Sequence, residues 1–225
     1  MTGNWGSPNS TSAAFALTEF AGQLTGHGWV APGLPLQITG TRVGENVQLA
    51  FTSPLFFSYA GTFRGSFVND ALVGDINGNQ RVSLSRVDTV ADALAHQIYS
   101  AKYPGGAGRA AFYVIGDTLI VQLATVYPLR IAHVGVRITP GSYSIAASPS
   151  PVRALIDIGS GVESEVFHAV SGTLIITQSS QRALIGSYTM DMALGTEHIS
   201  ASGSFSAVCV YGYAVSYYQR CPAAN

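Results

Sequence analysis

Charge is what this sequence has least of. Only 10% of its 225 residues are Asp, Glu, Lys or Arg, against about 25% in an ordinary globular domain. Eleven basic and twelve acidic side chains nearly cancel. Lys102 is the single lysine, and the remaining basic residues are arginines. So few cations form no basic stripe to hold a nucleic-acid backbone, which excludes that class of partner. The charge deficit also excludes a long, salt-bridged helical surface. No apolar run approaches the ~20 residues of a membrane-spanning helix, so no transmembrane segment is expected. The first twenty residues have neither a basic nor an apolar stretch of signal-peptide type. Met1 is therefore read as standing where an export signal was removed, because Ser/Thr/Gly-rich β proteins with almost no lysine are more often exported.

Catalytic and metal constellations are also missing. The five histidines, His27, His96, His133, His168 and His198, are far apart and in no metal-ligand spacing. Asp75, Asn77, Asn79, Arg81 and Ser83 fall on alternate positions of a calcium loop. That loop also needs Gly at its sixth position and an acid at its twelfth, where Gln80 and Arg86 stand. Ser160 sits in "GSGVES" with no helical pattern after it, so it is no nucleophile elbow. Glu163 and Glu165 are two apart and give no paired-acid site from separate elements. "GGAG" at 105–108 precedes a strand, so it lacks the helix terminus that holds phosphate. No catalytic residue, metal or cofactor is expected.

What is abundant is strand material. Apolar residues make up 47% of the chain, with 25 glycines. Short alternating runs are separated by turn signals at Gly44-Glu45-Asn46, Asn69-Asp70, Asn77-Gly78 and Gly116-Asp117. This spacing predicts an all-β, mainly antiparallel protein built as barrels or sandwiches. Residues 88–101 depart from the pattern. Val90, Leu94 and Ile98 recur every fourth residue after a capping Asp88 or Thr89, which predicts one short linking helix. It divides the chain into a β domain at 1–88 and a second β-rich domain at 89–225. A Gly-hydroxyl-aromatic word recurs as "GTF" (61–63), "GSYS" (141–144), "GSYT" (186–189) and "GSFS" (203–206). It reads as strand spelling, with glycine at a tight point, the hydroxyl facing solvent and the aromatic packed.

Two resemblances follow from these words. "LTGHG", "ITGTRVGENVQLAF", "YAGTFRG" and "ALVGDINGNQRVSLSRV" resemble a lipocalin-like, calycin-type β domain of bacterial envelope proteins. About 88 residues is short for eight full strands, so a shortened or open barrel is also consistent. "SGTLIIT", "QRALIGSYTMDM" and "ASGSFSAV" resemble an uncharacterised β-rich domain of secreted bacterial lipoproteins. No lipobox cysteine is present. The resemblances imply fold and compartment, and bring no catalytic residues.

Cys209 and Cys221, the only cysteines, are expected to form a disulfide in a periplasmic or extracellular setting. Tyr211, Tyr213, Tyr217 and Tyr218, with Phe56 and Phe57, form the candidate protein interface, since Tyr combines an apolar body with a polar tip. The leading reading is a non-enzymatic, exported binding or scaffold protein. It would be an accessory subunit of a membrane-associated or extracytoplasmic assembly, such as a photosynthetic, pilus or secretion complex. One alternative is a small apolar-ligand carrier, with Phe15, Leu17, Trp29, Leu49, Phe51 and Phe63 lining a cavity in the first barrel. Another is a hydrolase with an unrecognised site.

Overall fold

In the computed structural model, the residues described are all except 8–11, 32, 57, 101, 148, 159–165, 210–220 and 223–225. The chain divides into two compact units, Met1–Asp92 and Ala93–Asn225. The first contains β1 (Gly3–Gly6), β2 (Ala13–Phe20), β3 (Gln23–Val30), β4 (Leu34–Val43), β5 (Asn46–Thr52), β6 (Ala60–Val68), β7 (Ala71–Ile76) and β8 (Gln80–Arg86). Each strand pairs antiparallel with the next, and β8 returns to β1 through Trp5–Arg86 and Gly6–Ser85. The barrel is therefore closed. Eight strands fit because most hairpins spend only two or three residues on the turn. Ala21-Gly22, Asn69-Asp70 and Asn77-Gly78 all have both residues at positive φ, matching the twist of the strands they join.

The alternation is clear in β5, where Val47, Leu49 and Phe51 are buried while Asn46, Gln48 and Thr52 are exposed. Apolar side chains face inward and polar ones outward. A barrel that crosses a membrane has the reverse pattern, with a lipid-facing apolar band. The interior is filled by aromatics. Phe15 lies 5.3 Å from Phe51 and 6.2 Å from Phe63 between ring centres. After β8 the chain is tied back to its own barrel. Val87 N donates to Asn4 O at 3.1 Å, Asn4 Nδ2 donates to Asp88 O at 2.9 Å, and His27 pairs with Asp92.

The second unit contains β9 (Leu94–Ile98), β10 (Gly106–Ile115), β11 (Thr118–Ala124), β12 (Leu129–Val134), β13 (Gly141–Ala146), β14 (Val152–Asp157), β15 (Val166–Ser179), β16 (Ala183–Leu194) and β17 (Glu197–Cys209). Strands β9, β10, β11, β12, β14, β15, β16 and β17 follow one another around a ring that β17 closes by pairing with β9. Where β9 stops short, β10 and β17 touch directly as a parallel pair. β13 lies on the same edge of β15 as β14, further along the strand.

The helix expected at 88–101 does not form. Asp88 O is taken by the Asn4 side chain, Ala93 adopts a positive φ of 57°, and Leu94–Ile98 is β9. Leu94 and Ile98, two members of the supposed helical stripe, face outward, and Ile98 is 68% exposed. The buried positions are instead Ala95 and Gln97, with period two. A five-residue segment is too short for its apolar positions to separate the two periods. Here strand wins because β10 and β17 supply backbone partners on both sides.

The repeated word has a structural use. In β16 and β17, Gly186-Ser187-Tyr188 lies antiparallel to Gly203-Ser204-Phe205 so that each glycine faces the other word's aromatic and the serines face each other. A Cβ at Gly186 would sit 2.4 Å from Ile175 O and 3.0 Å from the Phe205 ring tip, and one at Gly203 would sit 2.3 Å from His96 O and 2.7 Å from the Tyr188 hydroxyl. In the first barrel Gly65 faces Gly74, and the end of the Phe63 ring fills the space both side chains leave, 2.8 and 2.7 Å from the missing Cβ positions. Inward-facing glycines are therefore the points at which neighbouring strands and aromatic rings approach most closely. Gly186→Val is expected to cost about 3 kcal/mol or more of unfolding free energy in urea, through overpacking against backbone that has no room to shift. Ser187→Ala, one residue away on the outer face, should change it by less than about 0.5 kcal/mol.

Candidate functional site

One end of the first barrel is formed by three neighbouring hairpin tips, β2–β3, β4–β5 and β6–β7. They are joined edge to edge, with Arg42 N donating to Gly22 O at 2.8 Å and Phe67 N donating to Glu45 O at 2.8 Å. Their bases are held by Arg42 on Glu19 at 3.2 Å, Arg42 over the Phe67 ring at 5.2 Å, and Arg86 on Asp70 at 3.0 Å. On this fixed base the tips hold apolar side chains out into solvent. Phe20 is 83% exposed, Val43 76% and Val68 37%. A phenylalanine raised on a tight turn gains nothing for folding from that position, and the three tips together form an exposed apolar patch. Hydrophobic alternation does not reveal it, because Phe20 and Val43 simply end their strands. The available signal is an apolar residue immediately before a two-residue turn.

In the second barrel a polar cluster lies inside. The hydroxyls of Tyr99 and Thr125 both meet one end of the Gln97 side-chain amide, and both also reach Tyr127 O, at 3.3 and 3.1 Å. Tyr188 lies beside the same amide. Placing Gln97 Oε1 toward the two hydroxyls leaves Gln97 Nε2 and the Tyr188 hydroxyl buried without partners. The opposite orientation lets Nε2 donate to the Tyr99 and Thr125 oxygens while their protons go to Tyr127 O, and the Tyr188 hydroxyl stays buried without a hydrogen-bond partner among the described residues. Burial raises the pKa of both Tyr99 and Tyr188. The ring of Tyr103 packs edge-on against Tyr127 and Phe167, completing a structural plug.

At the other end of this barrel is a half-open depression of about 390 Å³. Its floor is Phe112, Leu119, Ile138 and Leu184, and Ser179 and Gln181 are on its rim. Ser180 Oγ accepts from Ala183 N at 2.9 Å and shapes the turn beside it. An apolar floor with a polar rim at a barrel mouth suits a small amphipathic molecule.

The residues singled out in the sequence fall as follows. Cys209 and Cys221 form the disulfide. Phe56 is 47% exposed in the loop after β5. Phe57, Tyr211, Tyr213, Tyr217 and Tyr218 lie outside the described residues, as do Ser160, Glu163 and Glu165. Phe15, Leu17, Leu49, Phe51 and Phe63 belong to one packed cluster inside the first barrel. Trp29 is buried but has the other parity. Its cross-strand partners are Ala14 and Pro35, while the inward Phe15 faces Gly28, so Trp29 lies on the outer side of the barrel wall. Asp75 is held by Arg81 at 3.1 Å and Asn77 Oδ1 accepts from Thr62 N at 2.9 Å, as a hairpin requires. His168 and His198 flank Ala193 from neighbouring strands. Among the described residues no three His, Cys, Asp or Glu side chains gather to hold a metal. Among the described residues no helix is long and apolar enough to cross a membrane.

Comparison with known proteins returns no match to a family model, a curated protein or a solved structure.

The internal cluster carries a pH prediction. Tyr99 and Tyr188 have folded-state pKa values above the unfolded value of about 10. Their contribution to stability is therefore complete below pH 10 and is lost as the pH rises past it. In a tyrosine-labelled NMR titration both should remain protonated until the chain unfolds. Gln97→Ala should cost about 2 kcal/mol by stranding the hydroxyls that the amide serves.

Proposed function

We propose that this chain is a non-catalytic binding protein that works outside the cytoplasm. It serves as an accessory or scaffold subunit of a membrane-associated or extracytoplasmic assembly, of the secretion, pilus or photosynthetic kind. The observation that carries this reading is the rigid display of Phe20 and Val43 at adjacent hairpin tips. Such a surface fits an apolar recess on a larger partner, and burying the two side chains would stabilise the contact by about 1.5–3 kcal/mol each. The disulfide supports an oxidising compartment. The likeness of the first half to lipocalin-like envelope domains, and of the second to secreted lipoprotein domains, points the same way.

A second reading is a carrier of a small amphipathic ligand. What favours it is the depression in the second barrel. In the first barrel, five of the six side chains expected to line a cavity, all but Trp29, belong to one packed cluster.

The test is crosslinking mass spectrometry on native envelope, comparing wild type with a Phe20→Ser/Val43→Ser variant. Wild type should crosslink to an envelope protein through the tips of the first barrel. The variant should lose at least about tenfold of that yield while keeping its unfolding midpoint. A wild type with no crosslinked partner, or a variant with undiminished yield, contradicts the reading.

A further inference from the structure

Closed barrels leave no free strand edges, and around both rings every strand has a hydrogen-bonded neighbour on each side. β13 is the exception. Among the described residues it pairs with β15 alone, in unbroken register from Gly141–Ile176 to Ala146–Ser171. Among the described residues no strand is hydrogen-bonded to its other side.

Natural sheets protect such an edge with lysine, an inward charge, proline within the strand or a bulge. β13 carries none of these. Its sequence is GSYSIA, and no charged residue occurs anywhere from Ile138 to Val152. The strand is firmly held. Ile145 is buried in the core, the Tyr143 hydroxyl donates to Thr139 O at 2.7 Å, and the Tyr143 ring stacks edge-on with His133 at 5.7 Å. Ser142 and Ser144 are exposed on the outer face.

We infer that β13 is the docking edge for a second copy of this chain, which adds its own β13 antiparallel across a two-fold axis. Antiparallel pairing of identical strands satisfies the open groups of both. The choice of a copy over a foreign peptide rests on charge. The edge and its outer-face neighbours Thr173 and Ile175 carry none, so two identical edges meet without repulsion, and a charged peptide gains no ion pair there. Six residues per chain make a small interface, so the association is weak and concentration-dependent. This edge belongs to the second unit and is independent of the hairpin tips of the first.

Sedimentation velocity from low to high micromolar concentration tests the inference. Three proteins are compared: wild type, Ser142→Lys/Ser144→Lys and Ser142→Asp/Ser144→Asp. Circular dichroism checks that each keeps the wild-type spectrum. Wild type should shift from monomer to dimer as concentration rises. Each charged variant should stay monomeric at the highest concentration, because like charges then face across the axis. An equimolar mixture of the two variants should regain the dimer. A wild type that stays monomeric throughout, a charged variant that still dimerises alone, or a mixture that stays monomeric would each overturn the inference. An edge reserved for a foreign strand would give the first of these results.

Discussion

Both units depend on bringing backbone close enough to curl a sheet of eight strands into a ring while leaving its inside full. A small barrel has an interior only wide enough for side chains. If every inward position carried a Cβ, the strands could not approach as they do at Gly65–Gly74 or at Gly186 and Gly203. If those positions were simply empty, the core would have voids. The chain resolves this by setting a large aromatic opposite or beside the glycine. Phe63 fills the space at Gly65 and Gly74, Phe205 at Gly186, and Tyr188 at Gly203. The glycine supplies the room and the ring takes it up.

Much else follows from closure on these terms. The rings occupy the inside of the first barrel, so the outward-facing parts carry whatever recognition it performs. Two-residue turns keep the barrel short and make its hairpin tips stiff. Apolar groups on such tips lose little freedom on binding, which favours contact. The second ring closes through β15 and β16, and that long pair leaves room on the far side of β15 for one additional strand beyond β14. Among the described residues that strand, β13, is hydrogen-bonded on one side only.

Local features of the fold were legible in the sequence, and features decided by distant neighbours were not. The turns at Asn69-Asp70, Asn77-Gly78 and Gly116-Asp117 are short-range chemistry and lie where their residues place them. Alternation gave the inward set of β5. The segment at 88–101 carries a helical spacing, yet its identity depends on β10 and β17, which are remote in sequence. Trp29 was placed inside because a large aromatic in a strand is ordinarily core, yet a count from Phe15 through the β2–β3 pairing puts it on the outside. Gly-hydroxyl-aromatic was recognisable as a word. That two copies of it would face each other in reverse could be known only from register. The exposed tips are not legible for a related reason, since periodicity says which face a residue takes and not whether the strand has already ended.

The most direct test of this account is the unfolding free energy of Gly203→Ala, measured in urea beside wild type. In a strand with room for it, replacing glycine by alanine stabilises by about 0.4–1 kcal/mol, because the unfolded chain loses freedom. If strand closure and ring placement depend on the missing Cβ, the sign reverses, and Gly203→Ala destabilises by about 1–3 kcal/mol. A neutral or stabilised variant would contradict the account.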